Sequence, residues 1–178
     1  IQGDFFYGND ANESKFKEIS SNYAILHLAL HGEVDNENPD NSKLFFTQSD
    51  KSSTDDNMLH TFELYNMNLK ADLAVLSACN TGTGKITNGE GIMSLGKAFQ
   101  YAGVRSVLLS QWPVSDAVAP TIMDSFYKHL GEGKNKAEAL RLSKLEFLET
   151  ANNITANPYL WGSFFILGDT RPIDFKDN

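Results

Sequence analysis

Residues 73–86 read LAVLSACNTGTGKI, an apolar run that passes through the chain's single cysteine, Cys79, into a polar, glycine-rich loop. A short, nearly continuous apolar run bounded by turn residues is the pattern of a strand buried on both faces, and hence of a parallel sheet covered by helices. Two further runs share that character, YAILHLAL at 23–30 and VLLS at 107–110, and a fourth, SFFIL at 163–167, lies near the C-terminus. Helical spacing fills the intervals. Ile92, Leu95, Phe99 and Ala102 form one stripe that Gly103 is placed to end, and Val118, Ile122, Phe126 and Leu130 form a second. Ala137, Leu140, Leu145, Phe147 and Leu148 are expected to share one face of a third helix. Strands alternating with helices predict an α/β fold, a sandwich of helices around a mostly parallel central sheet.

The composition excludes several classes. A chain of 178 residues, 41% hydrophobic and 21% charged, is long enough for one domain with its own core. No run approaches the roughly 18 apolar residues of a membrane span, and the opening IQGDFFYGND has no signal-peptide pattern. It does not begin with Met, so a piece excised from a longer chain is expected. A formal net charge of −8 argues against nucleic acid as a partner and suits a basic one. One cysteine rules out an internal disulfide and fits a reducing compartment such as the cytoplasm. The acidic segment 33–58, interrupted by Lys-Leu-Phe-Phe at 43–46, reads as polar loops around a short strand or hairpin. Its carboxylates fit a solvated loop or a Ca²⁺ site, although their spacing matches no EF-hand loop.

What Cys79 does is the functional question. A phosphate-binding loop needs Gly, four residues, then Gly-Lys-Ser/Thr. Here Cys79 stands where the first Gly belongs and Ile86 follows Lys85, so that reading fails. A metal site fails too, because Cys79 has no CxxC partner. His27 and His31, four apart on a strand, can point to one side but stand about 13 Å apart, too far to share a metal. A buried packing thiol and a nucleophile remain. Cys79 follows a strand at the edge where α/β folds bind ligands, and His31-Gly32 follows another. If those strands are neighbours, thiol and imidazole face each other across one cleft. Papain-like enzymes run Cys first and His far downstream, where only His129 is found; caspase-like enzymes run His first and Cys about 50 residues later. Cys79 follows His31 by 48 residues.

Several separate motifs, in order, resemble the CHAT domain, a caspase- and separase-like cysteine peptidase family often fused to tetratricopeptide repeats. They are Tyr23 to Gly32 (YAILHLALHG), Ala71 to Gly84 (ADLAVLSACNTGTG), Gly89-Glu-Gly91, Gln111 to Asp116 (QWPVSD) and Pro158 to Asp169 (PYLWGSFFILGD). The resemblance implies a caspase-like α/β/α sandwich over the whole chain, with 1–21 as a leading segment, 22–170 as the core and 171–178 as a tail. It implies His31 as general base and acid and Cys79 as nucleophile, with the backbone N–H groups of Gly32 and Cys79 as oxyanion hole. No third triad member is required.

In separase-like relatives an acidic residue in a Trp-x-Val-x-Asp segment recognises a basic P1 side chain. The matching residue is Asp116, with Glu90 and Trp112 as further candidates for that S1 pocket. Each has a structural alternative: Asp116 as N-cap of the helix carrying Val118, Glu90 as an acidic first-turn residue, Trp112 as a core or cleft wall. The reading is an endopeptidase cutting proteins after Arg or Lys, without metal or cofactor, regulated by an upstream tetratricopeptide-type module. Its alternatives are a catalytically silent scaffold and, more remotely, a thiol acyltransferase.

Overall fold

The computed structural model of the protein describes residues 2–35, 37–48, 55–77 and 90–175, with no side-chain description for residues 90–92. Its centre is a four-stranded sheet in the order β1 (Ile25–Leu28), β5 (Leu73–Leu76), β6 (Ser106–Ser110), β7 (Phe164–Gly168). β1, β5 and β6 are parallel, and β7 runs antiparallel to β6 at one edge. A second, antiparallel sheet joins β2 (His31–Glu33), β3 (Lys43–Phe45) and β4 (Met58–His60). The polar segment 33–58 thus carries a strand within its loops, as its Lys-Leu-Phe-Phe interruption suggests.

Helices cover both faces of the central sheet, and strand alternation decides which residue serves which face. Leu26, Leu28, Ala74, Leu76, Val107 and Leu109 pack with α1 (Glu13–Ile19), α2 (Thr61–Leu64) and α3 (Glu90–Tyr101). Leu73, Val75 and Leu108 pack with α4 (Ala119–Gly131) and α5 (Lys136–Thr150). α3 lies close because Gly96 has no side chain: a Cβ there would stand 2.8 Å from the Leu109 side chain. Gly103 ends this helix segment at φ +109°, a backbone region in which L-residues are strained.

Two expectations need correction. The run 23–30 is not one strand. β1 stops at Leu28, and the chain then enters a different sheet, so His27 and His31 share no strand. Half-buried Leu30 packs into the core at the break, which is why the apolar run continues where the strand does not.

The stripe expected on α5 holds only at Leu140 and Phe147. Ala137 and Leu145 are exposed, and the inward residues are Lys136, Ala139, Leu140, Ser143 and Phe147. Lys136 Nζ donates to the Asp169 carbonyl at 3.1 Å, and Lys144 Nζ donates to the Phe164 carbonyl at 2.6 Å. The helix is therefore fastened to the β7 segment through ammonium–carbonyl bonds that an apolar count does not register.

Candidate active site

The parallel ladder of β1 and β5 sets the geometry of the candidate site. Its last register pair is Leu28 with Leu76. His31 lies three residues beyond the first and Cys79 three beyond the second, so both segments leave the same edge of the sheet by the same number of residues. Those strands are neighbours, as a facing thiol and imidazole require.

His31 opens β2 opposite Phe45 and is exposed, with no hydrogen bond to its ring among the described residues. Gly32 is buried opposite Leu44. Cys79 lies outside the described residues. Glu90 is the first residue of α3, at the positive end of the helix dipole.

β6 ends at the same edge, and the segment after it carries Trp112 and Asp116. Asp116 does not cap α4. The N-cap is Val118, and Ser115 organises the approach: its carbonyl accepts the N–H groups of Val118 and Ala119, both at 2.9 Å, and its hydroxyl accepts that of Ala117. The Asp116 carboxylate is exposed and makes no hydrogen bond or ion pair with the described residues. Trp112 donates its indole N–H to the Tyr159 carbonyl at 2.7 Å and stacks on the Tyr159 ring, with centroids 5.9 Å apart. This fixes the segment between β6 and α4 against α6 (Pro158–Trp161). Tyr159 adds an exposed aromatic surface here that motif reading passed over, because its partner lies 47 residues away.

The other histidines lie away from this edge or serve structure. His27 joins Ser77 and Tyr127 in a hydrogen-bonded group. His129, buried in α4, bonds Glu132 and Glu146 at 2.9 Å each and ties α4 to α5. His60 caps α2.

Among the described residues, several acidic side chains of 33–58 serve local structure. Asp35 accepts the backbone N–H groups of Glu37 and Asn38, and Asp55 pairs with Lys17 at 3.0 Å. Lys17 also holds buried Glu13 and half-buried Glu63. Burial opposes the Lys17 charge, but bonds to the three carboxylates outweigh it and raise its pKa well above the ordinary value. Among the described residues no group of three or more His, Cys, Asp or Glu is arranged to hold a metal ion. Nor is any described helix long and apolar enough to cross a membrane. A cleft of about 480 Å³ beside Lys17, Ser20, Glu63 and Leu69 contains no histidine or cysteine in its walls, which separates it from thiol chemistry.

Residues 2–169 match the family described as the CHAT domain. The chain belongs to the CHAT domain family. The match spans the central sheet, the second sheet and the edge described above, and the family is peptidase-like. This CHAT domain is also 29% identical over 111 residues to tetratricopeptide repeat protein 28 of Mus musculus, and 28% identical over 111 residues to tetratricopeptide repeat protein 28 of Homo sapiens. Each alignment covers 62% of this chain and 4% of the relative, so the chain spans a small fraction of the curated proteins it matches.

Proposed function

We propose that this CHAT domain is a cysteine endopeptidase that hydrolyses the bond after Arg or Lys. The observation that supports the reading is that β1 and β5 are parallel neighbours ending at the register pair Leu28–Leu76, with His31 and Cys79 each following in sequence by three residues. In this reading His31 draws the proton from the Cys79 thiol, and the thiolate attacks the carbonyl carbon of the P1 residue. Backbone N–H groups of Gly32 and Cys79 stabilise the oxyanion. The tetrahedral intermediate collapses as His31 passes the proton to the leaving amine. Water, deprotonated by the same imidazole, then hydrolyses the thioester and frees the acid.

Asp116 supplies the specificity. An exposed carboxylate without a partner among the described residues is available to pair with a cation, and a guanidinium bonds it bidentately. The Trp112–Tyr159 stack, whose indole is carried by the same segment after β6, offers a flat surface for the aliphatic stem of that side chain. Glu90, the first residue of α3, is the further acidic candidate for that specificity. The names of the two relatives support association with a tetratricopeptide-type region, which in this reading acts as the regulator, while protein chains serve as substrates.

The test is a fluorogenic peptide panel varying only P1, run on the full-length protein and its Cys79→Ala variant. Cleavage confined to Arg and Lys, and lost in the variant, is the expected result. Silence toward every peptide, with Cys79 also unreactive toward an Arg-chloromethylketone, would leave the scaffold reading.

A further inference from the structure

One polar group outside the dyad bridges three elements where β1 and β5 part. His27 Nε2 lies 2.9 Å from the Ser77 hydroxyl, and its Nδ1 lies 2.9 Å from the Tyr127 hydroxyl. The rings of His27 and Tyr127 pack with centroids 5.7 Å apart. His27 belongs to β1, Ser77 directly follows β5, and Tyr127 comes from α4. Ser77 is held a second time by its main chain, whose N–H donates to the Leu28 carbonyl at 3.4 Å. Among the described residues these are the last hydrogen bonds between the two chains. Beyond them one chain turns into β2 at His31, and the other reaches Cys79 two residues later.

His27 is exposed on β1, the edge strand of the central sheet, where water alone could solvate its ring. Both imidazole nitrogens are engaged, so the ring has one orientation in either neutral tautomer, donating at one nitrogen and accepting at the other. Desolvation by the side chains packed around its ring lowers the pKa of His27 even though the residue is exposed overall, and burial raises that of Tyr127. Both side chains are therefore neutral at pH 7, and the group acts through geometry, not charge.

We propose that Tyr127–His27–Ser77 is a positioning clasp: it fixes how far apart the chains bearing His31 and Cys79 leave the sheet edge. The proposal rests on the reading of those two residues as a dyad. None of the three touches substrate in this scheme. Tyr127 orients the His27 ring, the ring holds Ser77, and Ser77 sets the start of the Cys79 segment. A small misplacement of reacting groups costs far more in rate than in stability.

The experiment compares wild type, Tyr127→Phe, Ser77→Ala, their double variant and Ser77→Thr, all in the full-length protein, on an Arg-P1 peptide. Each of the first two variants should lower kcat about tenfold with KM within about twofold. The double variant should fall no further than about the larger single effect, because the residues act as one unit. Ser77→Thr, which keeps the hydroxyl, should restore most of the rate. Values of kcat within about twofold of wild type in both Tyr127→Phe and Ser77→Ala overturn the clasp, whatever their melting temperatures. If Ser77→Ala does not fold, Tyr127→Phe decides alone, since it removes a single oxygen and keeps the ring. The alkylation rate of Cys79 by iodoacetamide at pH 7, followed by mass spectrometry, separates the two claims. A wild type inert toward peptides whose Cys79 rate falls severalfold in both variants keeps the clasp and loses the peptidase. Equal alkylation rates in that case overturn the clasp.

Discussion

His27 and His31 are four positions apart and belong to different sheets. His27 sits on the central sheet with each ring nitrogen 2.9 Å from a hydroxyl, one from the neighbouring strand's end and one from α4. His31 heads the first strand of the appended antiparallel sheet, exposed, with its ring unbonded among the described residues. A histidine with both nitrogens occupied is a structural part, because exchanging a proton with a substrate would break a bond that holds it. One with free nitrogens at a sheet edge keeps its acid–base capacity available. The break after Leu28 creates this division: had β1 run on, both side chains would have pointed to one face.

The contrast can be broken in graded ways. The largest effect is expected from His31→Ala, which should lower kcat/KM about a thousandfold, the scale of a lost general base, while the melting temperature stays close to wild type. A comparable loss of melting temperature would make His31 structural and erase the distinction. Asp116→Ala should reduce kcat/KM on Arg substrates about 10- to 100-fold, as expected for one charge-assisted contact, and leave uncharged P1 substrates unchanged. An equal fall on all substrates would place Asp116 outside specificity. His129→Ala removes the link from α4 to Glu132 and Glu146 and should cost about 2 kcal/mol in urea unfolding with kcat unaffected.

The smallest effect concerns pH. The folded-state pKa of His27 is lowered, so the stabilisation it gives is present above the unfolded value of about 6.5 and is lost as pH falls below it. His27→Gln should flatten the fall in stability between about pH 7 and 5, as read by urea midpoints. An unchanged slope would show that the acid loss comes from other groups.

Much of this was legible beforehand because a buried parallel strand has a strong signature. The run at 73–76 is wholly buried, and the stripe Val118, Ile122, Phe126, Leu130 is buried along its length. The switch of sheets after Leu28 was not legible, since apolar residues continue through Leu30 whichever sheet they face. The inward face of α5 was hidden because Lys136, Ser143 and Lys144 satisfy their polar ends on backbone carbonyls while their stems fill space. The candidate site divided similarly. Motif order pointed to His31, Cys79 and Asp116, whereas the partners of His27 stand 50 and 100 residues away and leave no local trace. The capping alternative for Asp116 was settled only by seeing Ser115 organise the helix start.

The most direct test of the dyad is the pH dependence of Cys79 alkylation in the full-length protein, wild type against His31→Ala. A thiol paired with imidazole titrates well below the free value of about 8.5 and should move back toward it when the imidazole is removed. The account predicts a wild-type midpoint displaced downward by one unit or more and a His31→Ala midpoint near that of free cysteine, each unit being worth about 1.4 kcal/mol. Identical curves centred near the free value in both proteins would contradict it.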